Sequence, residues 1–391
     1  MTRRILIVVT HLLGAGHLTR AAALARAAAR SGHRVTLVSG GMPSRLVSTD
    51  GVELIQLPPV RAPLADFTAL QDEGGHPVRP ERLAARQAML LEALATTRPD
   101  VVVTELFPFG RRVLAAEFMA LIEAARSSTP RPGIVASVRD ILVAPERPAK
   151  LARTEDLVQR HYDAVLVHGD PALVPLEASW PVGAELRQRL RYTGYVDNDG
   201  EPGPVGSPSP DPALVLVSGG SSAASLPVYR TALAAAAETP RLRWQVLVGH
   251  GVAEQEFRSL QGSARAGVTV ERARPDFRTL MRKSAVFVGQ AGYNTVMDIV
   301  ATQARAVLVP FEQGRETEQR LRASALAERG LATLLPEAEL DAASLAGAVL
   351  AALSRTPPRF PALRLDGATE TVRCLEELAT SARPVAAGAA A

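Results

Sequence analysis

The chain is short of cysteine, lysine, aromatics and long apolar runs, and each shortage excludes something. A single cysteine, Cys374, leaves no internal disulfide and no Cys-based metal site. Such a chain fits a reducing compartment. Phe, Trp and Tyr make up 4% of the residues, so the cores implied by a 47% hydrophobic composition must be built from Ala, Leu and Val. No run of about 18 apolar residues free of charge occurs, so nothing reads as a membrane-spanning helix. The basic residues are almost all Arg, with a formal net charge of +4. Scattered Arg with so small a balance argues against nucleic-acid binding. It is compatible with anionic ligands such as phosphates, or with loose attraction to acidic lipid headgroups. The run Ile5–Val9 is too short for a signal-peptide core and meets Thr10-His11 at once, so it reads as a first buried strand.

What is present is an alternation of β-branched runs with longer Ala/Leu/Arg segments. Expected strands are Ile5–Val9, Arg34–Val38, Val52–Leu57, Val101–Thr104, Ile134–Ser137 and Ala164–Val167. Expected helices are Leu18–Arg30, Glu81–Ala95 and Val113–Ala125. Continuous apolar runs suit strands buried on both faces of a parallel sheet. A Pro/Gly/Asp/Ser stretch at 197–212 then reads as a linker. The pattern restarts with strands at Ala213–Val217, Trp244–Val248, Val268–Val270, Ala285–Val288 and Ala306–Val309, and Leu363–Thr380 reads as a last helix. The organisation expected is an N-terminal domain over 1–196, a linker over 197–212 and a C-terminal domain over 213–360. A helix over 361–382 packs back on the N-terminal domain, and 383–391 is a flexible tail. Two doubly wound α/β domains leave a cleft at the carboxyl ends of their strands, where ligands bind.

Four short segments carry chemistry. Gly14-Ala15-Gly16-His17 joins the first strand to the first helix. Thr19 stands where a dinucleotide fingerprint wants a third small residue, and Ser39-Gly40 where it wants an acid, so NAD binding is disfavoured. A tight turn with an incidental His is an equal reading on spacing alone. Ser218-Gly219-Gly220-Ser221-Ser222 follows the first strand of the second half and brings backbone N–H groups and two hydroxyls to an anion. A plain turn explains it too. Gly289-Gln290-Ala291-Gly292-Tyr293-Asn294-Thr295 opens a helix in the same way, with Asp298 one turn on to accept from ribose hydroxyls. Glu316, Glu318 and Gln319 start another helix, either to read sugar hydroxyls or to stabilise the helix N-terminus.

Together these segments resemble the GT-B class of glycosyltransferases. The C-terminal half is similar to the peptidoglycan N-acetylglucosaminyltransferase and its family-28 relatives. The Leu106-Phe107-Pro108-Phe109-Gly110-Arg111-Arg112 run resembles a bacterial group of predicted family-28-like transferases. The resemblance covers nearly the whole chain and is strongest from Gly289 to Gly330. Against the more distant pattern of small-molecule UDP-glycosyltransferases, Gln290 stands in place of a diphosphate-binding His. Gly292, Asn294 and Thr295 match. Asp298 replaces a ribose-binding Glu. Glu318-Gln319 matches the pair that holds the donor sugar, and Arg322 replaces an Asn. Ala273 and Arg274 fall where the nucleotide base is met.

The resemblance implies two Rossmann-like doubly wound domains facing across a cleft. It implies transfer of a hexose or N-acetylhexosamine from a nucleotide sugar, foremost a UDP-sugar, to an unidentified glycan, lipid-linked or small-molecule acceptor. His17 is the expected base and Glu105 orients it. The alternative for Glu105 is an ion pair with Arg111 or Arg112. The donor diphosphate falls to Gly219, Gly220, Ser221, Ser222, Gln290, Asn294 and Thr295. Gly14, Gly16, Phe107, Arg139 and Asp140 are acceptor-side candidates, with a purely structural role open for the last two. No cofactor or metal is expected, since helix N-termini meet the leaving diphosphate and no Asp-x-Asp motif of the metal-dependent kind is read. Inversion at the anomeric carbon and a cytoplasmic site, peripheral on the inner membrane face, complete the expectation. A nucleotide-sugar 2-epimerase and a non-catalytic nucleotide-sugar-binding partner protein are the alternatives.

Overall fold

The computed structural model describes residues 1–44, 47–63, 69–145, 147–197, 210–220, 223–313 and 317–381. The chain forms two units. Unit 1 holds Met1–Pro171, Pro175–Asn198 and Arg364–Ala391, and unit 2 holds Ala172–Val174 and Asp199–Leu363. Unit 1 runs β1 (Arg4–Val9), α1 (Gly16–Arg30), β2 (Arg34–Ser39), β3 (Glu53–Gln56), α2 (Pro80–Thr97), β4 (Val101–Glu105), α3 (Ala115–Ser127), β5 (Gly133–Arg139), α4 (Pro148–His161), β6 (Ala164–His168), α5 (Ala184–Arg189) and β7 (Leu190–Tyr192). Unit 2 runs β8 (Asp211–Ser218), α6 (Leu226–Glu238), β9 (Arg243–Val248), α7 (Glu254–Gly262), β10 (Val268–Arg272), α8 (Phe277–Lys283), β11 (Ser284–Gly289), α9 (Tyr293–Thr302), β12 (Ala306–Leu308), α10 (Glu318–Glu328), β13 (Thr333–Leu334) and α11 (Ala342–Ser354). The last helix, α12 (Gly367–Ser381), belongs to unit 1.

Each unit is built on one parallel sheet. The strand order is β3-β2-β1-β4-β5-β6-β7 in unit 1 and β10-β9-β8-β11-β12-β13 in unit 2. In both, the chain first steps outward in one direction, then returns past the first strand and continues in the other. The direction therefore switches between β1 and β4, and between β8 and β11. In open α/β sheets the crevice beyond the carboxyl ends of that strand pair is where ligands bind.

Residue alternation explains why the sheets are covered on both faces. Ile5, Ile7 and Val9 of β1 pack with α1 and α12, through Ala21, Leu24, Ala28, Val372 and Leu375. Leu6 and Val8 point the other way, into a second core with Leu90, Phe118 and Leu121. The small residues of α1 suit it to the sheet, and it stops where Gly32 takes φ +85°. There the His33 N–H reaches Ala28 O at 3.1 Å and the Gly32 N–H reaches Ala29 O at 2.9 Å. This pair of bonds is a Schellman ending, which needs a left-handed residue at that point.

The strands and helices read from the sequence agree with the structure to within a few residues, and the differences have physical causes. α4 was not foreseen because it buries only Thr154 and Val158. β7 and β13, of three and two residues, lie at sheet edges and leave almost no pattern to read. The last helix starts at Gly367, not Leu363. β8 starts at Asp211, inside the stretch expected to be linker. Most of that stretch and the residues of the expected tail lie outside the described residues.

One buried ion pair ties the carboxyl ends of three strands together. Arg86 on α2 is fully buried. Its Nε and Nη2 donate to Glu117 on α3 at 2.9 and 2.7 Å. Its Nη1 donates to Gly40 O after β2 at 2.8 Å and to Pro58 O after β3 at 2.6 Å. Its Nη2 also lies 3.3 Å from Thr10 Oγ1, just after β1. Gly40 must be glycine there, since a Cβ would fall 2.3 Å from Thr10 Oγ1 and 2.5 Å from Arg86 Nη2. Removing one partner strands the other charge in the core, which typically costs about 3–5 kcal/mol. Arg86→Met should therefore destabilise unit 1 by that order, and the double change Arg86→Met/Glu117→Leu should recover much of the loss. Denaturant unfolding in a Trp244→Phe background checks this, because Trp180 then reports unit 1 alone.

Candidate active site

The loop after β1 runs through Gly14, at φ +63°, and delivers His17 at the start of α1. β1 pairs with β4, whose last residue is Glu105. The topology thus brings the two together at the switch point. His17 Nδ1 lies 2.8 Å from Glu105 Oε1. Arg20, one helical turn along α1, donates Nη2 to the same Oε1. Ser137 on β5 donates its hydroxyl to Oε2 at 2.5 Å. The side chain of Glu105 is 1% exposed and that of His17 is 11% exposed.

The electrostatics follow from this crowding. Burial pushes the Glu105 carboxyl up. The Arg20 charge, the His17 hydrogen bond and the Ser137 hydrogen bond more than offset that, and hold it well below the ordinary carboxylate range. Burial lowers the His17 imidazole to about 3, against the hydrogen bond to Glu105, with the Arg111 and Arg139 charges also lowering it. His17 is therefore neutral beside an ionised carboxylate. A carboxylate only accepts, so the single imidazole proton sits on Nδ1 and Nε2 keeps its lone pair. This is the protonation state a general base requires.

The alternative pairing of Glu105 with Arg111 or Arg112 does not occur. Arg111 Nε donates to Thr10 O at 2.5 Å, and Arg112 Nη2 to Phe109 O at 2.9 Å. Two acceptor-side candidates are corrected by burial. Phe107 is 1% exposed and its ring stacks on Phe118 with centroids 4.8 Å apart, so it is a core residue. Asp140 is fully buried, and its Oδ1 accepts from the Ile141 N–H at 3.0 Å. Gly14 and Gly16 are exposed at the head of α1, and Arg139 ends β5 at the same edge of the sheet.

In unit 2 the switch point lies at Ser218–Gly220 and Gly289–Gly292. Gly289 is obligatory, since a Cβ would fall 2.3 Å from Ser218 O. α9 then starts at Tyr293, after an N-cap Gly292 that has no side chain to cap it. Gln290 is buried, with Ser225 Oγ 3.4 Å from its Oε1. Asn294 is exposed and Thr295 half-buried on the first turn. Gln319 Oε1 accepts from the N–H of Ala291 at 3.2 Å and of Phe311 at 3.0 Å. That fixes its oxygen inward and turns its amide NH2 away from those two groups.

Other donor-side candidates are placed differently from expectation. Asp298 Oδ1 accepts from Arg278 Nε at 2.7 Å, so its charge is already met. Glu318 is buried and pairs with Arg322 at 2.8 Å, while Arg322 Nη1 donates to Ala291 O at 2.7 Å. The Gly219 N–H is taken by the Tyr229 hydroxyl at 3.2 Å and is not offered to an anion. The Ala273 N–H bonds Val248 O at 2.9 Å, its carbonyl lies 3.1 Å from His250 Nε2, and Arg274 pairs with Asp276 at 2.8 Å. Ser221, Ser222 and Glu316 lie outside the described residues. Sequence reasoning missed Arg20, Ser137, Ser225, Tyr229 and Arg278, and the strand-ending His168 is buried rather than open to a cleft. Only Arg20 left a signal, three residues after His17 on one helix face.

Two units, each on a parallel sheet of this strand order, define the GT-B class of glycosyltransferases. The profile of the glycosyltransferase family 28 C-terminal domain matches residues 214–363. A UDP-N-acetylglucosamine–N-acetylmuramyl-(pentapeptide) pyrophosphoryl-undecaprenol N-acetylglucosamine transferase from Alkalilimnicola ehrlichii is 30% identical over 261 residues, which is 63% of this chain and 70% of the relative. The transferase of the same name from Rhodospirillum centenum is 32% identical over 165 residues, 41% of this chain, and the chain spans only 43% of that relative's length. The glycosyltransferase VinC, solved in complex with dTDP, matches in fold with a TM-score of 0.64 at 16% identity, over 97% of this chain and all of VinC. The chain belongs to glycosyltransferase family 28.

The buried histidines make the stability of unit 1 depend on pH. An unfolded imidazole takes a proton near pH 6.5, at roughly its reference value. Burial lowers both His17 and His168 to about 3 in the fold. Between those values the unfolded chain holds more protons, so stability present above pH 6.5 is lost as the pH falls. For the fully buried His168 the loss from pH 7 to pH 5 is up to about 2 kcal/mol. His168→Gln should flatten the fall of the unit 1 unfolding midpoint over that range, read by Trp180 fluorescence in the Trp244→Phe background. An unchanged slope would show that His168 is not the titrating group.

Proposed function

We propose that this chain transfers a hexose or N-acetylhexosamine from a nucleoside-diphosphate sugar, foremost a UDP-sugar, to an acceptor hydroxyl, with inversion and without a bound metal. The observation that carries the reading is the neutral His17 held by an ionised Glu105 at the switch point of unit 1. His17 Nε2 takes the acceptor proton as the acceptor oxygen bonds to the anomeric carbon. The bond from that carbon to the diphosphate oxygen breaks, and the nucleoside diphosphate leaves. Glu105 stabilises the imidazolium formed on His17, and Arg20 keeps Glu105 ionised.

On unit 2 the diphosphate charge lies at the glycine-led N-terminus of α9. Gln290, Asn294 and Thr295 border it. Gln319 offers its amide NH2 to a sugar hydroxyl, because two backbone N–H groups hold its oxygen.

The acceptor reading rests on the carboxyl edge of unit 1. Leu13, Val113 and Val143 follow the adjacent strands β1, β4 and β5, and all three are exposed. Arg112, Arg147, Lys150 and Arg153 are exposed on the same stretches of chain. Arg111 makes no ion pair among the described residues, and the Glu105 charge acts on it. Apolar side chains ringed by cations suit an anionic, lipid-linked acceptor at a membrane surface, the chemistry named in the transferases from A. ehrlichii and R. centenum. On this reading the protein works at the cytoplasmic face of the membrane, where nucleotide sugars are available. No helix of the described residues is long and apolar enough to cross it.

Calorimetric titration with UDP-, GDP- and TDP-sugars tests the donor site. One nucleotide class should bind, and Gln319→Ala should weaken it by about tenfold, the loss of roughly one hydrogen bond. Absence of binding by all three classes would contradict the reading.

A further inference from the structure

The His17–Glu105 pair does not end at Glu105. The sheet register sets Glu105 directly opposite Ser137 of β5, and Arg139 opposite His168 at the end of β6. Thr193 follows the last residue of β7, which is next in the sheet. These polar residues stand at or just after the carboxyl ends of β4 to β7, of which β4, β5 and β6 are mostly Val, Ile, Ala and Leu. Ser137 Oγ lies 2.9 Å from His168 Nε2, and His168 Nδ1 lies 2.9 Å from Thr193 Oγ1. Ser137, His168 and Thr193 are all buried to 1% exposure or less. Buried polar groups are costly unless bonded, so a row of them across four strands asks for a purpose.

We propose that Ser137 and His168 are positioning residues for the base: a hydrogen-bond chain from Thr193 through His168 and Ser137 fixes the Glu105 carboxylate, and through it the Nδ1–H tautomer and ring orientation of His17. The inference rests on the transferase reading of His17. The direction of each bond follows from a single charge. Ionised Glu105 accepts only, so the one proton of Ser137 is committed to Oε2. Ser137 then accepts, so His168 donates through Nε2. A neutral His168 has a bare Nδ1, which accepts the Thr193 hydroxyl. Without the chain, Oε2 would have no partner, since Arg20 and His17 both converge on Oε1. The terminal carboxylate torsion is soft, and it is Ser137 that holds its second oxygen.

Imidazole tautomers are read by long-range 1H–15N correlation spectra of the full chain labelled with 15N-histidine. His17→Gln and His168→Gln assign the two rings. In the wild type His17 should carry its proton on Nδ1 and His168 on Nε2. Ser137→Ala should cost His17 its clean split between one protonated and one bare nitrogen, giving a tautomer mixture, and Ser137→Thr should restore it. The midpoint of His17 should move in Ser137→Ala as well, with Arg20 of α1, Arg111 after β4, Arg139 of β5 and His168 of β6 as the groups that face it. A His17 tautomer unchanged in Ser137→Ala would overturn the proposal. So would a wild-type His168 protonated on Nδ1, a result that needs no variant to fold. Failure of the transferase reading shows separately, as absent nucleotide-sugar binding, and leaves the tautomer result standing.

Discussion

A carboxylate buried at the end of a strand must be met on every side, and Glu105 sets the terms for what surrounds it. Desolvation favours its neutral form. Arg20, His17 and Ser137 oppose that, and the opposition decides the charge of the whole site. Because Glu105 is ionised, His17 is a neutral Nδ1–H imidazole. Because His17 is so held, the lone pair on Nε2 is the free end of the arrangement. The fold supplies the rest: β1 and β4 are neighbours only because the strand order reverses there, so a residue of the β1 loop and the last residue of β4 meet without further devices.

Unit 2 solves a different problem with the same architecture. An anion site needs free backbone N–H groups held in place, and the loop Gly289–Gly292 is held from behind by α10. Gln319 takes the Ala291 N–H and Arg322 takes the Ala291 carbonyl. The loop backbone is thus pinned on both sides just before α9 begins. Arg322 stands where the resembling pattern has Asn. Its ion pair with Glu318 removes that carboxylate's charge from the reading of a sugar, and leaves Gln319 as the residue of that pair with an amide NH2 to offer.

Much of this was legible in the sequence. Unbroken β-branched runs gave two parallel sheets, and the residues at the ends of particular runs gave the site. His17 and Glu105 came from the resemblance, His17 from the glycine-rich loop after the first strand and Glu105 from the end of the strand Val101–Thr104. What stayed hidden needed register or packing. Ser137 was visible only as the end of a strand, with nothing to say it faces Glu105. His168 ended a strand and read as a cleft residue, yet it is fully buried. Phe107 and Asp140 lay in plausible places, and burial removed them. Asp298 and Glu318 kept their positions, but Asp298 meets an arginine twenty residues earlier that no spacing rule singles out, and Glu318 meets Arg322 at the i,i+4 spacing of one helix face.

The central claim is that His17 acts as the base and Glu105 sets its state. The most direct measurement is the single-turnover rate of sugar transfer by His17→Ala, with donor affinity measured on the same preparation. A lost general base costs about 10²- to 10⁴-fold in rate, so the account predicts a fall of that size with donor binding unchanged. A transfer rate equal to that of the wild type would contradict it.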